Sequence, residues 1–341
     1  MRDVAYRAEV DPATVSRVLN GGKFVSSEKR GRVLTAAKEL GYETDLVAQS
    51  LRRGRTLTIG CVVSDITNPV IADMVRAAEA ELQAAGYAML LTDSSGEARQ
   101  DIDHIRQLRQ RRIDGLLLMT AEDAREETAR ALSGGFPTVS IDRDYVDIES
   151  VSSVYCDHRK GMREAMEHLI SLGHRKIALI IGSRSVRSIR ERIAGYEDAL
   201  VAGGLKVDPS LIRSGPIGHD YAFSQTVDLV KRSRPSAIIA GANQLLGGVL
   251  DALVDHGLRL GKDVSLVSFD DTELTRLFSP AISVVARDPR TIGRTAAQML
   301  LERIAGPVSR TVATAPTWYI PRKSVGKPPP SVTRAPRITK H

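Results

Sequence analysis

Two unlike architectures in one chain are what the sequence predicts: an all-α unit of three short helices, then an α/β body of two parallel-sheet lobes. Three observations carry this. Residues 1–44 hold three short amphipathic stretches separated by helix-capping and helix-stopping residues. From Thr58 onward, strand-length apolar runs alternate with helical stretches in two successive series. The net charge of +7 is uneven, with +4 on residues 1–55, +4 on residues 327–341 and −1 on everything between. A near-neutral body with basic ends fits a nucleic-acid contact confined to one end.

The first helix is expected over Arg2–Ala8, with Val4, Ala5 and Ala8 on one face, and Glu9-Val10-Asp11 makes a tight connection. Asp11 is a good N-cap and Pro12 suits a first helical position, so a second helix starts there and runs to Asn20, with Val15, Val18 and Leu19 inward. Gly21-Gly22 stop it. Ser26 or Ser27 caps a third helix through Leu40, with Val33, Leu34, Ala37 and Leu40 facing inward and Gly41 ending it. Three short helices about a small aliphatic core make a helix-turn-helix unit. Residues 45–56 follow, helical over Asp45–Leu51 and then basic through Arg52, Arg53 and Arg55.

In the body, strands are expected at Ile59–Val63, Ala88–Thr92, Gly115–Met119, Thr138–Ile141 and Ser153–Cys156. A second series falls at Lys176–Ile181, Ala237–Ala240, Ser265–Phe269 and Ser283–Val285. Helices are expected at about 71–85, 99–110, 160–171, 187–202, 220–232, 244–256 and 290–304. Ligands bind such sheets beyond the carboxyl ends of the strands, so two facing lobes form a cleft. The core spans residues 57–326, and the Pro-rich basic tail of residues 327–341 is expected to be disordered.

Several function classes are excluded. The longest apolar runs, Leu116–Met119 and Ile177–Ile181, are strand-length and far short of a membrane span. Charges at Arg2, Asp3, Arg7 and Glu9 precede no apolar signal core, so a cytoplasmic location is expected and a transport solute-binding protein is not. Cys61 and Cys156 sit in apolar, strand-like stretches and read as buried thiols. No GxxxxGK[ST], HExxH or GxSxG occurs, and the histidines lack metal-ligand spacing, so neither an enzyme nor a metal or cofactor is expected. His168 and His174 read as structural, and the adjacent Asp270 and Asp271 point oppositely in an extended segment.

The run Asp3-Val4-Ala5, then Thr14-Val15-Ser16-Arg17-Val18-Leu19-Asn20-Gly21, resembles the headpiece of the LacI/GalR family of transcriptional regulators. The similarity continues through Ala37-Lys38-Glu39-Leu40-Gly41-Tyr42, Ala48-Gln49-Ser50-Leu51-Arg52 and Gly54-Arg55-Thr56. It extends through Asp65-Ile66-Thr67-Asn68-Pro69, Gly173-His174-Arg175-Lys176-Ile177, Ala194-Gly195-Tyr196, Ala242-Asn243 and Phe269-Asp270-Asp271, covering about residues 1–325. It implies a homodimeric repressor of a palindromic operator, with a periplasmic-binding-protein-like core of type I and a small sugar-like or sugar-acid effector.

What the resemblance implies about residues is specific. The second helix enters the major groove, with Pro12 and Ala13 offering apolar contact and Arg17 two donors to guanine O6 and N7. Thr14, Ser16 and Asn20 meet phosphates or adjoining base edges. Residues 45–56 act as a hinge helix and basic linker, in which Leu51 wedges into the minor groove beside Ala48 while Arg52 adds charge near the phosphates. Out of this context Arg17 is an exposed helix arginine, and Leu51 a core leucine of an interdomain helix. Effector contacts map to Val70, Ile71, Asp142, Arg143, Arg190, Asn243, Asp270 and Arg287, with Arg190 first among them. Asp142 as a turn cap and Arg143 as an interlobe ion pair are the alternatives, as is control by a partner protein.

The sequence also departs from the family. Met1 falls inside the motif and leaves the first helix without a polar cap, Glu9 replaces a turn glycine, and Gly31 sits within the third helix. Gln244 stands where an aspartate commonly follows Asn243, His158 replaces a frequent asparagine, and Val70-Ile71 lacks the aromatic pair that stacks sugar rings. Three arginines in the set leave room for an anionic effector.

Overall fold

The computed structural model describes residues 1–19, 24–42, 54–123, 126–145, 148–306 and 309–329. Asn20, Ala48, Leu51 and Arg52, with the expected hinge helix and most of the tail, lie outside the described residues. The chain divides into two compact units, Met1–Leu57 and Thr58–His341.

The small unit is built from α1 (Arg2–Ala8), α2 (Pro12–Leu19) and α3 (Ser27–Glu39). Val4, Ala5, Ala8, Val15, Val18, Val33, Ala36 and Ala37 form its core. Helix α1 has no side-chain cap at Met1 and ends on Glu9, whose backbone is left-handed at φ 52° and ψ 48°. The turn position where a glycine was expected therefore does require that conformation. Ser26 caps α3, and Arg7 pairs with Glu39 to tie α1 to α3. Two expected core residues are corrected: Leu34 and Leu40 are about half exposed. The inward stripe of α3 is Val33, Ala36 and Ala37, spaced i, i+3, i+4, and Leu34 falls beside it.

The large unit holds two six-stranded sheets that repeat each other strand for strand. The first contains β1 (Thr58–Val63), β2 (Ala88–Asp93), β3 (Gly115–Met119), β4 (Thr138–Ile141) and β5 (Val151–Cys156), joined by the late strand β11 (Val312–Ala315). The second contains β6 (Ile177–Ile181), β7 (Ile212–Ser214), β8 (Ala237–Ala240), β9 (Ser265–Phe269), β10 (Ser283–Ala286) and β12 (Trp318–Ile320). Strand orders are β11-β5-β4-β3-β1-β2 and β12-β10-β9-β8-β6-β7, parallel throughout except that β12 runs antiparallel to β10. Helices α4 (Pro69–Ala84), α5 (Ala98–Gln110) and α6 (Glu126–Ala131) belong to the first lobe. Helices α7 (His158–Ser171), α8 (Arg187–Ala202), α9 (His219–Asp228), α10 (Leu246–Asp255) and α11 (Glu273–Leu277) belong to the second.

The chain crosses between lobes three times: from β5 into α7, from β10 into α12 (Pro289–Ala305), and from β11 into β12. Helix α12 returns to pack on α4, so closely that a Cβ on Gly293 would lie 2.1 Å from the Met74 carbonyl oxygen. The Ala194-Gly195-Tyr196 motif is explained the same way. A Cβ at Gly195 would meet the Arg159 carbonyl at 2.4 Å, and the buried Tyr196 hydroxyl donates to the Ile177 carbonyl at 2.7 Å. His174, fully buried, bonds Ser236 and the Gly326 carbonyl, and His168 bonds Tyr319, so both histidines serve the fold.

Strands β7, β11 and β12 and helices α6 and α11 were not expected from sequence. Each is three to six residues long, and the strands are half exposed, so no apolar periodicity marks them. The stretch expected as helix over 220–232 runs as α9 and then changes to a π-helical turn over Leu229–Ser233. No helix among the described residues is long and apolar enough to cross a membrane.

Candidate functional sites: the exposed face of α2 and the interlobe cleft

Helix α2 begins with Asp11, whose carboxylate accepts from the Thr14 backbone N–H at 2.9 Å and its hydroxyl at 2.6 Å. The Thr14 hydroxyl bond, then the backbone bond, holds the Asp11 carboxyl below its ordinary range. Pro12, Ala13 and Arg17 are exposed, with Ser16 partly so, while Thr14, Val15 and Val18 face the core. At 100° per residue, positions 12, 13, 16 and 17 share one arc opposite the buried one. This departs from the expected set at Thr14, which is buried with its hydroxyl already donated to Asp11.

In the large unit, a cavity of about 650 Å³ opens between the lobes. Its lining comes from the carboxyl ends of strands in both sheets: Asp65 after β1, Met119 on β3, Asp142 and Arg143 after β4, Asn243 after β8, Asp270 after β9 and Arg287 after β10. Asp142 and Asp270 occupy equivalent positions in the two lobes, and both have left-handed backbone, at φ 55° and φ 65°. Asp tolerates that region at modest strain, which here aims each carboxylate inward.

Arg287 joins these carboxylates. Its Nη1 donates to Asp142 Oδ2 at 2.5 Å and its Nε to Asp270 Oδ1 at 2.8 Å, so one guanidinium spans both lobes. Burial alone would favour neutral forms. The facing charges outweigh it, holding Asp142 well below the carboxylate range and Arg287 well above its ordinary value.

Behind this triad stands His158, 1% exposed. Burial, opposed by Asp142 and assisted by Arg192, lowers its pKa to about 4, so the imidazole is neutral at neutral pH. Its tautomer then follows from its neighbours. Nε2 donates to Asp142 Oδ2 at 2.9 Å, and Nδ1 accepts from Arg192 Nε at 3.3 Å. Arg192 also donates to the Gly241 carbonyl at 2.6 Å and lies over the Phe269 ring; burial, with Arg287 nearby, lowers its pKa to about 10. Asp142, Cys156 and His158 lie close enough to share a metal ion, but Asp142 and His158 already hold each other, with Arg287 and Arg192 beside them opposing a cation.

Of the residues expected around an effector, Ile71, Asp142, Arg143, Asn243, Asp270 and Arg287 line the cavity. Val70 does not: it is buried in the first lobe's core. Arg190 does not either. It pairs across the lobes with Asp123 at 3.0 Å and Asp144 at 3.7 Å, the interlobe ion pair that the sequence offers as an alternative for Arg143. Arg143 instead donates to the carbonyls of Thr120 and Asp142, with burial lowering its pKa.

Arg192 is among the cavity residues that sequence reasoning missed, and for it a signal existed. Ile189, Arg192, Ile193, Tyr196 and Ala199 are the buried stripe of α8, and Arg190 lies 200° round the helix from Arg192. The expected room for an anion is also corrected. The lining arginines are already engaged, and Asp65, Asp93, Glu122, Asp142 and Asp270 outnumber Arg143, Arg192 and Arg287.

Comparison with known proteins fits both units. Residues 1–45 match the model of bacterial regulatory proteins of the lacI family, and residues 166–325 that of a periplasmic binding protein-like domain. The ribose operon repressor of Haemophilus influenzae is 31% identical over 334 residues, covering 95% of this chain and 98% of that protein. The chain belongs to the lacI family of bacterial regulatory proteins. The repressor PurR of Vibrio atlanticus is 31% identical over 89% of this lacI-family chain and 91% of its own length. Among solved structures, the lac repressor dimer bound to operator and the anti-inducer ONPF is 28% identical, with a TM-score of 0.84 and coverage of 94% and 97%. As a member of this family the protein is a DNA-binding transcriptional regulator and not an enzyme.

Proposed function

We propose that the protein is a repressor that binds a palindromic operator as a homodimer, controlled by a small neutral polyol in the interlobe cleft. Residues 1–44 read DNA, residues 45–56 form the hinge, residues 57–326 bind effector and dimerise, and residues 327–341 are a basic tail. The protein works in the cytoplasm, where a bacterial operator lies. The observation that carries the effector reading is the excess of carboxylates over guanidiniums on a lining with no aromatic side chain among its described residues. Such a wall accepts hydroxyl donors, repels sugar acids and phosphates, and offers no ring for stacking. Ribose is the first sugar to try. Two relatives, the ribose operon repressors of Haemophilus influenzae and Escherichia coli, are 31% and 30% identical to this chain.

On the DNA side, Arg17 reads a guanine through O6 and N7, Pro12 and Ala13 contact thymine methyls, and Ser16 and Asn20 adjoin them. Leu51, beside Ala48 and Arg52, wedges the minor groove. Arg17→Ala weakens specific operator binding by about 1–3 kcal/mol and relaxes one base position in a binding-site selection. An unchanged selected sequence removes Arg17 from base reading. For the effector, Arg192→Ala abolishes ribose binding in calorimetry while Arg190→Ala retains it; tight binding of ribose 5-phosphate in preference to ribose would refute a neutral-polyol site.

A further inference from the structure

Two side-chain pairs cross the cleft between the first turn after β1 and the turn after β8. Asn243 Nδ2 donates to Asn68 Oδ1 at 2.9 Å, and Asn68 Nδ2 returns a longer bond of 3.4 Å to Asn243 Oδ1. Beside them Gln244 Nε2 donates to Asp65 Oδ2 at 3.0 Å. Asp65 is itself held rigidly, since its Oδ1 accepts from the Thr67 N–H at 2.9 Å and the Thr67 hydroxyl at 2.5 Å. Asn68 is equally fixed, capping α4 through the Val70 N–H at 3.0 Å.

Gln244 brings a neutral amide to this pair. A carboxylate there faces Asp65 at hydrogen-bond range, and two like charges in one site repel unless one takes up a proton. A neutral amide does the reverse: it gives a charge-assisted bond to a preoriented carboxylate on the opposite lobe. The same backbone thus carries either a spacer or a tie, depending on one side chain.

We propose that Gln244 and Asp65 form a latch that biases the two lobes toward the arrangement in which these side chains meet, here called closed. Its regulatory meaning rests on the cleft being the effector site: an effector then acts on an equilibrium already displaced toward closure and needs less differential affinity to complete it. The latch itself stands on the interlobe geometry alone.

The test is an isosteric cycle in the full-length protein, read by spin-label distances between the lobes, with labels introduced at Glu127 and Ser224. Gln244→Glu keeps the shape and replaces the donor by a carboxylate. It shifts the interlobe distribution to longer distances, with the closed population falling about tenfold. Asp65→Asn combined with Gln244→Glu inverts the donor and acceptor and restores the wild-type distribution. An unchanged distribution in Gln244→Glu overturns the latch. So does a double variant that is folded by circular dichroism yet stays open, because packing or charge count alone would then explain the single variant. Ribose calorimetry on wild-type protein is read separately. If ribose fails to bind while the cycle behaves as described, the effector reading falls and the latch stands.

Discussion

At His158 two demands meet, burial in the interlobe wall and a bond to a carboxylate, and burial prevails. The imidazole stays neutral to about pH 4, although Asp142 lies 2.9 Å away, because burial penalises the charged ring and Arg192 and Arg287 on the second lobe oppose a further positive charge. An unfolded histidine titrates near 6.5. Between pH 6.5 and about 4 the unfolded chain therefore binds a proton that the folded chain does not. Stability from this group is complete above pH 6.5 and is lost as pH falls toward 4, by at most about 3 kcal/mol. Urea unfolding across that range in wild type and His158→Asn checks this. The variant, with no titrating ring, shows a flatter profile, and parallel profiles would mean that His158 is charged or exposed. Asp142, held well below the carboxylate range, adds its own loss only at lower pH.

The elements of the headpiece carry two local costs that sequence exposes and structure locates. Glu9 closes α1 in the left-handed region, which disfavours a residue with a Cβ, and Gly31 lies exposed within α3, where an added methyl group would meet nothing within 4 Å. Glu9→Gly and Gly31→Ala each stabilise the headpiece by about 1 kcal/mol, the first by removing backbone strain and the second by adding helix propensity. Hydrogen exchange of the Val33 and Ala36 amides in the full-length protein slows about fivefold for each if this is right. Helix α8 shows what element-level reading can miss. The Ala194-Gly195-Tyr196 motif located the helix, yet choosing Arg192 over Arg190 needed the phase of its buried stripe, and that phase was already written in Ile189, Ile193 and Tyr196.

At the scale of the whole molecule, β2 is the outer strand of the first sheet and leaves Leu90 and Leu91 37% and 42% exposed. Monomeric proteins protect such edges with charge, bulges or covering segments. A second copy of the chain is the cover consistent with a homodimeric repressor. Leu91→Lys is expected to convert the dimer to a monomer in sedimentation analysis without changing the circular dichroism of the core, and to weaken operator binding through loss of the second half-site. A variant that stays dimeric at micromolar concentration would place the interface elsewhere.

Alternation of apolar runs with helical stretches determined two parallel-sheet lobes, and capping chemistry at Asp11, Pro12 and Ser26 determined α2 and α3, because periodicity and caps are local properties. The family resemblance, carried by short motifs, named Asp142, Asn243, Asp270 and Arg287, which do line the cleft. Only the tertiary structure decided that Val70 is core and that Thr14 spends its hydroxyl on Asp11. It alone could pair β11 with β5 and β12 with β10, since those short strands take their conformation from distant partners. It also decided the charge of the cleft. Three arginines in a sequence promise an anion site, but a guanidinium bonded to Asp142 and Asp270 has already found its anions within the chain.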